Sequence, residues 1–212
     1  EMSNEVKTKE KVDMDPKYII KLTVTLFVTC VIVAGLLGLV NSVTEGPIEE
    51  KNKTKTAAAI QEVLPEMEGS PTVVELTDEM TAAASGAGAT ITEAYEAQAG
   101  GSVIGYALKI VSSGSQGNIE MMVGVDAEGA VTGVSIVKNS ETSGIGSKVM
   151  NNENGVLDQF IGKSAADGTL SVGKNVDAIS GATVSSRGVT TGVNAALAVA
   201  GVMGCEGRSE HL

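Results

Sequence analysis

Ten residues towards the C-terminal end of the chain, Asp177-Ala-Ile-Ser-Gly-Ala-Thr-Val-Ser-Ser186, concentrate groups that can bond to a ligand. The hydroxyls of Ser180, Thr183, Ser185 and Ser186 crowd around Gly181 and Ala182. Beyond them Val189, Val193, Ala196, Leu197 and Ala200 recur at helical spacing, so the hydroxyls sit where a loop enters a helix. A helix start offers unpaired N–H groups and the positive end of the dipole, which together favour a phosphate. Gly181 and Ala182 let a bulky ligand approach the backbone. A hydroxyl here can cap the helix, hydrogen-bond a phosphate, or carry one through an ester once it is activated. Ser180, upstream of Gly181, suits a capping or hydrogen-bonding role. Thr183 stands at the junction itself. Ser185 and Ser186 lie just inside the helix, where they could donate to a phosphate held at its start. The residues by themselves leave all of these open, including a helix start that is merely capped.

A second loop has comparable chemistry. Ser140-Glu-Thr-Ser-Gly-Ile-Gly-Ser-Lys148 combines hydroxyls and two glycines with one aliphatic side chain, Ile145. It reads either as a plain turn into a helix or as a binding loop. Lys148, and Arg187 beyond the first stretch, are candidate charge partners for a phosphate, though solvated surface cations look the same in a sequence.

Composition removes many other chemistries. The chain has 212 residues and a formal net charge of −11, enough for one medium domain with accessories and unsuited to nucleic acid. Aromatic residues make up 2% and Trp is absent, so the core must come from Val, Ile, Leu, Met and Ala. Cys30 lies in an apolar run and Cys205 near the C-terminus, which predicts no pairing and no cysteine-rich metal centre. His211 is the only histidine, so no His-based metal site or catalytic triad can form within the chain. We therefore expect no catalytic residues and no metal. A bound cofactor would carry the chemistry while the protein supplies position and environment.

The elements that must position these loops follow from patterning. Residues 1–17 read as a polar tail. Residues 18–43 are apolar, with no charge between Leu22 and Val40, and predict a single transmembrane helix. Lys7, Lys9, Lys11, Lys17 and Lys21 precede this run, whereas Lys51, Lys53 and Lys55 follow it. That excess places the N-terminus in the cytoplasm and the main domain on the extracytoplasmic side. Thr44-Glu-Gly-Pro47 is expected to break the helix. A linker helix then runs from Pro47 to Leu64, and residues 66–88 read as a poorly packed connector. Period-two patterns predict strands at 91–97, 103–111, 120–126 and 131–137, joined by short turns as an antiparallel meander. Residues 151–163 suggest a short helix. The resulting architecture is α+β, an antiparallel sheet packed by helices over 89–204, followed by a tail at 205–212.

Asp177-x-x-Ser180-Gly181-Ala182-Thr183 resembles the flavinylation motif D-x-x-[ST]-G-A-T of the FMN-binding domain family, matching at every specified position. The resemblance implies FMN held covalently through a phosphoester to Thr183. Glu141, Thr142, Gly144, Ile145 and Gly146 match the same family's E-T-P-G-[LI]-G segment, which packs against the isoalloxazine ring; Ser143 replaces its proline. The order of anchor, linker helix and the two motifs is similar to the G-subunit family of Rnf electron-transport complexes. That likeness implies a flavoprotein relay in a membrane complex that passes electrons between ferredoxin and NAD and moves Na⁺ or H⁺. Its partners would be the other membrane and peripheral subunits, membrane lipid, and a flavin transferase for maturation. Alternatives are the C-subunit of the Na⁺-translocating NADH:quinone oxidoreductase (NqrC), a membrane-tethered protein that binds a phosphate ligand noncovalently, and a purely structural assembly protein.

Overall fold

A computed structural model describes residues 16–209; of the tails expected at 1–17 and 205–212, residues 1–15 and 210–212 lie outside the described residues, whereas residues 16–17 already belong to a helix and residues 205–209 continue the last helix in place of a tail. The chain divides into two units, residues 1–51 and 52–212.

The described part of the first unit is helical. Helix α1 spans Pro16–Val63, and its stretch Pro16–Asn41 is long and apolar enough to cross a membrane. At about 1.5 Å per residue those 26 residues exceed the roughly 30 Å of a hydrocarbon core. Thr23, Thr25 and Thr29 donate their hydroxyls to the carbonyls of Ile19, Lys21 and Thr25 at 2.7–2.9 Å, so the helix satisfies its own polar side chains. The break expected at Thr44–Pro47 does not occur, because α1 continues through it. Proline removes one backbone donor. The Glu, Lys and Ala residues that follow Pro47 are strong helix formers and offset that loss.

The second unit is built on a five-stranded antiparallel meander, with strands in sequence order across the sheet. They are β1 (Thr72–Val74), β2 (Thr90–Ala99), β3 (Ser102–Ser113), β4 (Asn118–Asp126) and β5 (Val131–Lys138). The last four coincide with the expected strands. Period-two alternation gives the sheet two buried faces. Leu108, Ile110, Ile119, Met121, Val123 and Val125 face the larger core, while Ala107 and Met122 face the other side. Helices α2 (Asp78–Gly86) and α4 (Thr183–Ser209) cover the larger core through Met80, Ala84, Val189, Val193, Ala196 and Val199. On the opposite face the last turns of α1 dock through Ala59, Ile60 and Val63. There Thr132 Oγ1 donates to the Val63 carbonyl and Ser135 Oγ to Glu62 Oε2, both at 2.6 Å.

Two further expectations are corrected. Residues 66–88 are not a loose connector: they hold β1 and α2, with Thr77 Oγ1 accepting from Met80 N to cap the helix and Met80 and Ala84 buried. Residues 151–163 form two 3-10 turns, Glu153–Gly155 and Asp158–Phe160, in place of a regular helix. Asn152 and Asn154 have φ of 54° and 59°, and this left-handed backbone interrupts helical bonding.

Strands β3 and β5 run in the same direction. The loops that leave them, 114–117 and 139–145, therefore emerge at the same end of the sheet. The start of α4 is pressed against that end, since a Cβ on Gly188 would stand 2.6 Å from the Ser113 carbonyl oxygen.

Candidate cofactor site

Both sequence motifs turn on a glycine and then enter a helix. In the first loop Ile145 N donates to the Thr142 carbonyl at 3.3 Å, with Gly144 at φ +81° in the third position of the turn. In the second, Ala182 N donates to the Ile179 carbonyl at 2.9 Å, with Gly181 at φ +83° in the equivalent position. Such turns need a positive φ at that position, which glycine adopts without strain. The first turn leads into the short helix α3 (Gly146–Met150), the second into α4.

The two loops meet. Glu141, Thr142, Ile145 and Gly146 from one, and Gly181, Ala182, Thr183, Val184 and Ser185 from the other, line a common cleft of about 300 Å³. Ser115 and Gln116 of the β3–β4 hairpin complete its wall. Ile145 and Val184, 51% and 53% exposed, present aliphatic surface at this cleft. Among the described residues, the N–H groups of Thr183, Val184 and Ser185 have no protein acceptor outside their helix; the first bond of α4 runs from Ser186 N to the Ala182 carbonyl. Free donors and a helix dipole at one wall, with apolar side chains beside them, suit a ligand that has an anionic end and a flat apolar body.

The four candidate hydroxyls are sorted by their partners. Ser185 Oγ donates to Glu141 Oε2 at 2.7 Å, and the buried Ser186 Oγ donates to the Ala182 carbonyl at 3.1 Å. In this structure both protons are directed at protein acceptors. Ser180 lies outside the cleft lining. Thr183 is half-buried, lines the cleft, and its hydroxyl has no partner among the described residues. Among the described residues, the bonds made by these side chains are those of Ser185 and Ser186, in which each hydroxyl donates.

The remaining nominated residues play supporting parts. Asp177 is exposed; its N–H donates to Gln159 Oε1 at 2.7 Å and its carbonyl accepts from Gln159 Nε2 at 3.1 Å. Gln159, not noticed in the sequence, thus clamps the entry to the second motif. Ser143 and Gly144 are exposed at the turn, and Gly144 N donates to Ser147 Oγ at 2.8 Å. Lys148 and Arg187 fall outside the cleft lining. Sequence reading also missed Ser115, Gln116 and Val184. A hairpin contributing backbone N–H groups carries no residue signature, whereas Val184 was readable as the aliphatic next to Thr183.

The chain is similar to known proteins. Residues 114–198 match the FMN-binding domain, and residues 14–63 match the RnfG N-terminal region. The G-subunit of the Na⁺-translocating ferredoxin:NAD⁺ oxidoreductase complex of Acetobacterium woodii is 38% identical over 204 residues, covering 92% of this chain and 97% of that protein. This chain belongs to the RnfG family. A second member, the G-subunit of the ion-translocating oxidoreductase complex of Methanosarcina acetivorans, is 30% identical over 86% of the chain and 95% of its own length. A solved structure of the C-subunit of the Na⁺-translocating NADH-quinone reductase from Parabacteroides distasonis overlays with a TM-score of 0.49 at 19% identity, over 71% of this chain and 90% of that one. The segment matching the FMN-binding domain contains the whole cleft, from Ser115 to Ser185. The residues present fit FMN: unpaired N–H groups and a free hydroxyl can meet its phosphate, and Ile145 and Val184 its ring.

Proposed function

We propose that this RnfG-family chain is the electron-carrying flavoprotein subunit of a membrane-bound, ion-translocating ferredoxin:NAD oxidoreductase, with FMN joined to Thr183 as a phosphoester. FMN supplies one- and two-electron transfer, which lets it link carriers of either kind. The chain's own residues bind and orient. The first turn of α4 receives the phosphate, Gly181 and Ala182 leave room at the junction, and Ile145 and Val184 shield the ring. No residue of the chain catalyses a reaction independently. Attachment requires a flavin transferase: the Thr183 hydroxyl loses its proton and forms the new O–P bond as the phosphoanhydride of FAD breaks and AMP leaves, because an unassisted Thr hydroxyl is a weak nucleophile. The apolar stretch of α1 anchors the protein, and the lysine distribution around it supports an extracytoplasmic flavin domain. Pro16–Asn41 contains no carboxylate, so Na⁺ or H⁺ would pass through partner subunits.

The observation that carries this reading is that, of the four hydroxyls, Thr183 lines the cleft and has no protein partner among the described residues. The full chain, produced in membranes with a flavin transferase, should gain the mass of one FMN unit, and peptide mapping should place it on Thr183. Thr183→Val, nearly isosteric, should fold without covalent flavin. Flavin fluorescence that survives denaturation in Thr183→Val would refute the attachment site. Colour lost from the wild-type chain on denaturation would replace the ester with noncovalent binding.

A further inference from the structure

Glu141 occupies the point where the three walls of the cleft meet. Its Oε1 accepts from Ser115 N at 2.6 Å and from Gln116 N at 3.4 Å, both on the β3–β4 hairpin. Its Oε2 accepts from Ser185 Oγ at 2.7 Å, on the third residue of α4. Glu141 N is held by Asn139 Oδ1 at 3.1 Å, which steadies the loop from its own side. One carboxylate thus ties together segments 26 and 44 residues away in sequence.

The packing around it leaves no slack. A Cβ on Gly114 would strike Glu141 Oε1. One on Gly146 would strike Oε2, and would stand 2.8 Å from Glu141 Cβ and 2.9 Å from Ser185 Oγ. Both glycines therefore clear space for this side chain. The chemistry is specific as well. A carboxylate only accepts when ionised, and here it takes short bonds from the Ser115 N–H and the Ser185 O–H, with the Gln116 N–H at longer range. Ser185, whose proton is directed to Glu141, has none left for a ligand phosphate.

We propose that Glu141 is the positioning residue of the cofactor cleft. Through Ser185 and the hairpin it fixes the spacing between the attachment helix and the ring-side loop, so that Thr183 and Ile145 serve one ligand. Its charge also lowers the reduction potential of the flavin, because a negative group in the wall of the cleft disfavours added electron density on the ring. This inference rests on the reading that the cleft holds FMN.

The test uses the full chain, matured in membranes by a flavin transferase, and measures flavin per chain by intact mass, the visible spectrum and the midpoint potential. Glu141→Gln keeps an acceptor for Ser115 N and can donate to Ser185 Oγ. It should load flavin like the wild type while raising the midpoint potential. Glu141→Ala and Ser185→Ala should load several-fold more slowly at fixed transferase and show a displaced visible spectrum. The double variant should be no worse than Glu141→Ala alone. A wild-type midpoint potential in Glu141→Gln, together with wild-type loading and spectrum in Ser185→Ala, overturns the proposal; these two variants decide it even if Glu141→Ala fails to fold. A wild-type chain that carries no flavin removes the FMN reading and this inference with it. A loaded wild type with indifferent variants removes this inference alone.

Discussion

Helix α4 contains an internal comparison that tests whether the attachment helix is held by close contact with the sheet. Gly188 and Gly201 both lie inside it, and replacing an interior helical glycine with alanine ordinarily stabilises by about 0.5–1 kcal/mol. At Gly201 an added Cβ meets nothing within 4 Å, so Gly201→Ala should realise that gain. At Gly188 the Cβ would stand 2.6 Å from the Ser113 carbonyl oxygen, 3.0 Å from Ile119 Cδ1 and 3.4 Å from Gly114 Cα. Two of these are backbone atoms, so relief requires α4 to move away from β3. Overpacking of this kind costs about 1–3 kcal/mol, which outweighs the propensity gain and leaves Gly188→Ala destabilised by about 1 kcal/mol. The two variants should then differ by about 2 kcal/mol, or roughly 4–8 °C in melting temperature for a chain of this size. Thermal unfolding of the detergent-solubilised full chain, followed by circular dichroism, measures that difference. Gly188→Ala should also load less flavin, since Thr183 lies five residues away on the same displaced segment. Equal stabilisation by both alanines would refute close packing of α4 on Ser113 and with it the placement of the cleft.

Other outcomes follow from the turn and from the sheet. Ser143 is the second residue of the Thr142–Ile145 turn, its N–H has no acceptor among the described residues, and proline suits that position. Ser143→Pro should raise stability by about 0.4–1 kcal/mol with flavin retained; a lower melting temperature or lost flavin would show that the turn is not as described. On the opposite face of the sheet Tyr95 donates to Glu93 Oε2 at 2.6 Å, and Lys109 Nζ lies 2.9 Å from Glu93 Oε1. Burial, then the bond to Glu93 and its charge, push the Tyr95 phenol up to about 12 from 10.0. Its stabilising contribution is therefore complete below about pH 10 and lost as pH rises towards 12. Burial and then the Glu96 charge raise the Tyr106 phenol as well, so phenolate absorbance, clean in a chain without Trp, should show late components from both tyrosines, and Tyr95→Phe should remove one of them; an unchanged titration curve would dismiss the cluster. For Glu93 burial pushes the pKa up, but hydrogen bonds from Tyr95 and Lys109 and the Lys109 charge outweigh it and leave the pKa lowered from 4.5. Its contribution is present above that value and lost as pH falls through the lowered one, so Glu93→Gln should flatten the acid side of the stability profile.

What could be read from sequence depended on whether a residue acts through its type or through its direction. Strands β2 to β5 were legible because alternation is a property of type: Leu108 and Ile110 face one core, Ala107 the other. The register shift between Ile91 and Glu93 was not, since nothing in the residue order says that Ala94 and not Glu93 turns inward. Helix α2 hid behind its alanines, although Thr77 followed by Asp78 and Glu79 is a readable helix start. The two motifs were legible as residue strings, yet the hairpin that closes their cleft contributes N–H groups that almost any residue supplies. The four hydroxyls mark the limit most clearly. Type alone makes Ser180, Thr183, Ser185 and Ser186 equivalent donors. They separate only when each proton is followed to its acceptor. Ser185 is engaged by Glu141, from a loop 44 residues away, and Ser186 by the carbonyl one turn earlier in its own helix. Ser180 stands outside the cleft lining. Thr183 is the hydroxyl that lines the cleft without a protein partner among the described residues, a distinction that residue type could not make.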